Sequence, residues 1–533
     1  MQKRVIAVFF LFCFVIGALC VRIYTVCTDS SFAARTQSHY KKITLDTLRL
    51  PVYDSQGRRL LGAESENYLA AKPGEKSLSE LNAILGEGDY NALASSLFKN
   101  SPSYICVGNR NFPQTDSYIT LKKYVRYSDN QTAVHLLGYV NSDGDGVSGI
   151  ERCCDSYLKT DISLYAGFLC DVNGKLVGGA DIVTDSRYNS SKGGVTLTLD
   201  SRIQHIAEEE LSVSGIKKGA VVICESRTGK IKASASVPTF DPNNVAASIN
   251  DESSPLVNRA LSSFAVGSVF KVAVAAAALE SGIGADFSYK CTGSIDIDGE
   301  VYHCNDSAVH GELDMQKALA CSCNCYFIEL AKHIGAKQLL ETARAFGFGS
   351  KIGIADGLYS SAGRVPSLKN LSVSGNLANF SFGQGKFTSS PFQIVNMFNA
   401  VACGGEYVSP YVVQSAEDAE GKTVYTYTPK APVHALSKET ADKLRNMLKE
   451  VITMGTAKNA YTDLFESAGK TATAQTGMFD ENGKEKLCTW FGGFFPADNP
   501  KYTVVILKED GVTGGADCAP VYKSIAERIA ALE

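Results

Sequence analysis

The sequence predicts an α+β protein in three parts: one N-terminal membrane-spanning helix, a segment of mixed α/β character, and a C-terminal region in which an antiparallel sheet packs with helices. The first part rests on an uncharged apolar run, Val5–Val21, bracketed by Lys3-Arg4 and Arg22. The last part rests on two strand pairs at opposite ends of one region. Gly219–Glu225 turns at Thr228-Gly229-Lys230 into Ile231–Ala235, and Trp490–Pro496 precedes Tyr502–Lys508. Alternating or continuous apolar residues bounded by turn residues are the strand signal, and the interval between the pairs holds helices.

The apolar run has 17 residues, the short end of the roughly 17–25 that span a bilayer. Lys3 and Arg4 place the N-terminus in the cytoplasm and everything after Arg22 outside. No A-x-A-like cleavage site follows, and Leu19 before Cys20 does not suit a lipoprotein site, so the run reads as an uncleaved anchor rather than a signal peptide. Four stretches result: a cytoplasmic tail at 1–4, a transmembrane anchor at 5–22, a non-catalytic segment at 23–194, and the sheet-and-helix region at 195–533.

Within the second segment, Arg49–Leu60 reads as strand, turn at Ser55-Gln56-Gly57, strand. Asn141–Gly146 is a polar, Gly-rich loop whose acidic spacing does not match a calcium loop, so it reads as a solvated turn. Gly149-Ile150-Glu151-Arg152 opens a helix toward Tyr157 and Leu158. Ser190–Gly194 marks a hinge. After it, Val195–Asp200 alternates as a strand, and Asp200 or Ser201 caps a helix through Ile203, Ile206, Ala207 and Leu211. Val521–Leu532 closes the chain as an amphipathic helix.

Composition excludes some functions. The chain has 52 basic and 56 acidic residues in 533, a net charge of −4, so no basic face argues for nucleic acid. The seven histidines offer no Ser-His-Asp pattern around a G-x-S-x-G elbow, which argues against an α/β-hydrolase.

The chemistry centres on Phe264–Lys271, a turn that runs into the Ala-rich helix Val272–Glu280. Ser268 and Lys271 stand three residues apart on one helix face. A serine becomes a nucleophile when a base takes its proton. A lysine is that base only if burial or a second cation depresses its pKa. The helix start also favours negative charge on the serine oxygen. S-x-x-K alone is weak evidence. Two further motifs follow in order, Ser322-Cys323-Asn324 and Lys470-Thr471-Ala472-Thr473, and the three together are specific.

On these motifs, residues 195–533 resemble the transpeptidase domain of class B penicillin-binding proteins. Secondary landmarks agree: Asn258-Arg259-Ala260, Ser381–Gly385, Ser390–Gln393, Gly455-Thr456-Ala457 and Gly514–Val521. The anchor and the Val52-Tyr53-Asp54 and Gly149-Ile150-Glu151 patches look like the same family's pedestal. The resemblance implies a serine β-lactamase/transpeptidase-like domain at 195–533 on an elongated pedestal or dimerisation domain at 23–194. Two positions depart from the family pattern: Val266 stands where proline is usual, and Ala472 where the K-T-G motif has glycine.

The resemblance also implies the reaction. Ser268 attacks the carbonyl between the terminal D-alanines of a peptidoglycan stem peptide, D-alanine leaves, and an amine from a neighbouring stem resolves the acyl-enzyme. Lys271 is the base. Ser322 and Asn324 relay the proton and hold the substrate amide. Lys470 and Thr471 meet the substrate carboxylate, and the backbone N–H groups of Ser268 and Thr473 form the oxyanion hole. β-Lactams acylate Ser268 as substrate mimics, no cofactor is required for catalysis, and glycan polymerisation falls to a partner, a SEDS-type glycosyltransferase. The protein is then a single-pass protein of the bacterial cytoplasmic membrane with its catalytic domain outside. Two alternatives share the motifs: a serine β-lactamase, and a scaffold whose site is vestigial.

Sixteen cysteines are unevenly spread. Cys291, Cys304 and Cys323 fall in one window with His310, a ligand set for a structural zinc. A Cys291–Cys304 disulfide and plain buried thiols are the competing readings. Asp306 is a substitute ligand, while Cys321 and Cys325 read as small core residues. Trp490 reads as core rather than groove lining, and Glu466 as a solvated loop residue.

Overall fold

The computed structural model describes residues 2–28, 40–171 and 173–532. Met1 of the expected tail and residues 29–39 of the expected pedestal lie outside the described residues. The helix Gln2–Thr28 contains a stretch, Arg4–Thr25, long and apolar enough to cross a membrane by length and composition, and none of it is buried in protein.

The chain divides into two units: Met1–Arg49 with Glu64–Arg126 and Thr160–Ser191, and Leu50–Ala63 with Tyr127–Lys159 and Lys192–Glu533. The sequence reading placed a single boundary near 194, whereas the structure interleaves the units. The reason is strand pairing. Val52–Tyr53 lies parallel to Gly194–Leu197, and Gly194–Leu197 pairs in turn with Val413–Glu417. Asp54 is fully buried and accepts from the N–H groups of Gln56, Arg58 and Ser201 and from the Ser201 hydroxyl. That set closes the expected turn and ties it to the helix that starts at Ser201. The helix expected from Gly149 is broken into Gly149–Cys153 and Asp155–Leu158, where Asp155 accepts from Gly146 N–H. Asn141 accepts from the N–H groups of Asp143 and Asp145, an exposed polar turn.

The first unit carries a three-stranded antiparallel sheet, Ser103–Gly108, Glu64–Ala71 and Tyr118–Val125 in that order. Helices Glu75–Ile84 and Glu87–Leu97 bury Leu81, Leu93 and Leu97 with Leu69 and Val107 of the sheet.

In the second unit we label α1 Ser201–Val213, β1 Gly219–Glu225, β2 Ile231–Val237, α2 Lys271–Glu280, α3 Asn324–Ile334, α4 Pro391–Ala402, α5 Lys438–Thr453, β3 Ala468–Phe479, β4 Glu485–Phe495, β5 Tyr502–Lys508 and α6 Ala519–Ala530. The sheet runs β2-β1-β5-β4-β3, antiparallel throughout. Neighbouring residues of β4 show its two faces. A Cβ on Gly492 would strike the Phe398 ring of α4, while the ring of Phe491 packs on Tyr522 of α6 at 4.3 Å. Helices therefore cover both faces. Asp200 caps α1 by accepting from Arg202 N–H, and Ser390 and Gln393 form a capping box at α4, with Pro391 at its first turn. β3 is the outer strand beside β4, so one of its edges is left for something other than the sheet.

Candidate active site

α2 is buried along Lys271–Ala278. Its alanines let α3 and α5 pack closely against it, and that packing seals Lys271 from water. Ahead of it, Gly267–Phe270 forms a single 3-10 turn that presents Ser268 half-buried. Gly267 has φ +67, and a Cβ there would come 2.9 Å from the Thr473 carbonyl of β3. Its N–H donates to Gly383 O at 2.8 Å, so the Ser381–Gly385 landmark braces the Ser268 turn from behind. Trp490 is fully buried, as expected of a core residue, and its indole N–H donates to Ala265 O at 2.8 Å. Thus the turn bearing Ser268 sits directly on the open edge of β3, which brings the Ser268 and Thr473 segments together.

Lys271 Nζ donates to Ser322 O at 2.6 Å and Asn324 Oδ1 at 2.7 Å, and lies 3.2 Å from Ser322 Oγ. Lys470 Nζ reaches the same Ser322 hydroxyl at 3.1 Å and Thr471 O at 3.0 Å. Ser322 thus bridges the two lysines. It does so from φ +57, a left-handed conformation uncommon for a residue with a side chain. Among the described residues the Ser268 hydroxyl makes no hydrogen bond; Lys271 Nζ is engaged by Ser322 and Asn324. Burial lowers the Lys271 pKa to about 8. Burial and then the charge of Lys271 push Lys470 well below the ordinary lysine range. Two buried amines around one hydroxyl disfavour a proton on both at once.

Thr471 donates its hydroxyl proton to Thr456 Oγ1 at 2.9 Å, and the Thr473 hydroxyl accepts from Gly514 N–H at 3.3 Å. The Gly455-Thr456-Ala457 and Gly514–Val521 landmarks therefore support the third motif from behind. The sequence reading gave Thr456 no role, although the landmark was its signal. Ala472 is buried, so its methyl group is packed within the protein rather than in open solvent. Glu466 is exposed and pairs with Lys449 at 2.5 Å, a solvated loop residue as read.

Beside Asn324, the donor atoms of Cys291, Cys304, His310 and Cys323 lie within 4.8 Å of one another. Cys291 and Cys304 are free thiols with sulfurs 3.7 Å apart. Asp306 is exposed and outside the group. Cys321 donates to Ala318 O, away from the cluster; Cys325 is buried, with Sγ 3.5 Å from Cys304 Sγ.

Three motifs some 50 to 200 residues apart meeting in one cleft beside a five-stranded antiparallel sheet is the arrangement of the penicillin-binding transpeptidases. Residues 219–527 match the family described as penicillin binding protein transpeptidase domain, and the chain belongs to that family. The chain is 31% identical over 416 residues to stage V sporulation protein D of Bacillus subtilis, covering 73% of this chain and 61% of that protein. It is 31% identical over 452 residues to the peptidoglycan D,D-transpeptidase MrdA of Acinetobacter baumannii, covering 76% and 66%. The matched stretch is therefore a little under two thirds of each relative's length. Among solved structures, the D,D-transpeptidase domain of a peptidoglycan glycosyltransferase from Eggerthella lenta superposes with a TM-score of 0.68 at 25% identity, over 92% of this chain and 99% of that one. The class B resemblance read from the motifs and the α+β fold read from the strand pairs both hold.

Proposed function

We propose that the chain is a membrane-anchored D,D-transpeptidase that cross-links peptidoglycan stem peptides by serine acyl transfer and is inhibited by β-lactams. The observation that carries this is the Ser322 hydroxyl held between Lys271 and Lys470. A neutral Lys271 takes the Ser268 proton as Oγ attacks the carbonyl between the two D-alanines. The resulting oxyanion is met by backbone N–H groups at Ser268 and Thr473, and each such donor supplies about a hundred- to a thousand-fold in rate. Collapse breaks the amide C–N bond. The proton passes from Lys271 through Ser322 to the leaving D-alanine amine. A second stem-peptide amine then attacks the ester, gives its proton back along the same route and releases Ser268. Binding of the substrate carboxylate beside Lys470 favours the charged form of that lysine, which further favours the neutral form of Lys271.

Anchoring follows from Arg4–Thr25, which would hold the protein in the cytoplasmic membrane by one span with the catalytic domain outside. The segments at 23–194 outside the catalytic region then serve as a pedestal, and glycan polymerisation is left to a SEDS-type glycosyltransferase partner. A β-lactamase needs neither an anchor nor a preceding domain, which favours the transpeptidase.

The test is intact mass of the full chain in detergent after incubation with penicillin. A stable adduct absent from Ser268→Ala supports the reading. Rapid loss of the adduct would indicate a lactamase, and no adduct with unchanged wall cross-linking in a Ser268→Ala strain would indicate a scaffold.

A further inference from the structure

The wall that carries Ser322 and Asn324 encloses a constellation the acyl-transfer chemistry does not use. Cys291 ends the strand Tyr289–Cys291, which pairs with Gly311–Leu313, and His310 stands immediately before that second strand. Cys304 follows the hairpin Ser294–Ile297 and Glu300–His303. Cys323 is the N-cap residue of α3. A strand pair, the end of a hairpin and a helix N-cap thus deliver four donor atoms to one point. Cys291 and Cys304 are 3.7 Å apart, Cys304 and Cys323 are 3.5 Å apart, and Cys291 Sγ lies 3.4 Å from His310 Nδ1. Tetrahedral zinc, with sulfur at about 2.3 Å and nitrogen at about 2.0–2.1 Å, separates its ligands by about 3.8 Å (S to S) and about 3.6 Å (S to N). These three spacings match those edges to a few tenths of an ångström, and the other three edges are no longer than 4.8 Å.

The surroundings also suit thiolates. Gly293 N–H donates to Cys291 Sγ and Tyr326 N–H to Cys323 Sγ, each at 3.4 Å, hydrogen bonds of the kind that orient metal-bound sulfur. All three cysteines are buried. Three soft sulfurs and one imidazole select zinc over the hard cations. Cys325 is a fifth sulfur beside the group: its Sγ lies 3.5 Å from Cys304 Sγ, and it also contacts Cys323.

The same cluster grips the second catalytic motif. Asn324 is covalently next to Cys323, and its Nδ2 donates to the carbonyl of His303, the residue before Cys304, at 2.9 Å. Its Oδ1 accepts from Lys271. Asn324 is therefore held from both sides by segments that end in cluster ligands. We propose that Cys291, Cys304, His310 and Cys323 bind one zinc ion, and that the ion fixes Asn324, and through it Lys271, in the pose that acylation requires. The four ligands are positioning residues, and the second half of the proposal rests on the transpeptidase reading above.

The experiment uses the full chain in detergent. Elemental analysis is expected to find one zinc per chain, lost in Cys291→Ser and Cys323→Ser and retained in Cys325→Ala. Cobalt loading of the stripped protein is expected to give the visible bands of tetrahedral cobalt thiolate, an assay independent of activity. Stripping with a chelator is expected to slow penicillin acylation of Ser268 about tenfold or more, and added zinc to restore it. Emission of Trp490, the only tryptophan, reports that the fold at the cleft persists. A native preparation that holds no zinc and takes up none on titration overturns the site. Zinc bound with acylation unchanged after stripping overturns the coupling to Asn324. A zinc-loaded protein that penicillin does not acylate overturns the functional reading while leaving the metal site standing.

Discussion

The Lys271 ammonium donates to the carbonyl of Ser322 at 2.6 Å, so the lysine of the first motif is aimed by the backbone of the second. The Lys271 pKa falls to about 8 because the amine is buried, and in the proposed mechanism only its neutral form takes the Ser268 proton. Acylation by penicillin is therefore expected to rise with pH through about 8 and then level off, since at pH 7 only about a tenth of the molecules carry the neutral amine. Stopped-flow acylation rates between pH 6 and 9 check this; a flat profile would remove Lys271 as the base.

Replacing Ser322 by Ala removes the hydroxyl shared by Lys271 and Lys470. The expected loss in acylation is about 100- to 10,000-fold, the range of a general acid–base group. The folded state is expected to change little, because Ser322 is half-buried. Thermal unfolding measured beside acylation separates the two effects.

Thr456 holds the Thr471 hydroxyl from outside the motif. Thr456→Val leaves that hydroxyl without its acceptor, a net effect of about 1 kcal/mol. Acylation is expected to fall several-fold, with the effect mainly on β-lactams bearing the carboxylate assigned to Thr471 in the proposed mechanism. Equal loss across carboxylated and uncarboxylated acylating agents would argue against this role.

Gly267→Ala forces a Cβ into a left-handed backbone position and against the Thr473 carbonyl. Backbone strain alone is about 1–2 kcal/mol, and the contact adds to it. Both the melting temperature and the acylation rate are expected to drop, because relief of the contact moves Ser268 off β3.

Arg259 is buried and pairs with Glu509 at 2.5 Å, while its guanidinium also donates to Ser253 O and Ser254 O. Arg259→Met strands those acceptors and the carboxylate. The expected destabilisation is about 3–5 kcal/mol, measurable by denaturant unfolding, with little effect on the acylation rate of the protein that remains folded.

Much of the site could be read before the fold was known. Ser268 and Lys271 share a turn, and β1, β2, β4 and β5 announce themselves by apolar runs bounded by turn residues. Other parts could not. The break in the Gly149 helix depends on Asp155 reaching Gly146. Residues 50–63 and 127–159 join the catalytic unit through strand pairs and buried contacts made with residues far along the chain. Thr456 resembles any loop threonine until the packing of α5 and β3 sets its hydroxyl beside Thr471.

The sequence by itself determined which side chains make up the three motifs and which local segments present them, because helix starts, strands and an apolar span are written in patterns a few residues long. Only the tertiary structure decided that Ser322 stands between Lys271 and Lys470 and that Cys291, Cys304, His310 and Cys323 converge beside Asn324. Those distances arise when segments far apart in the chain bury a common core, and no short stretch of sequence contains that information.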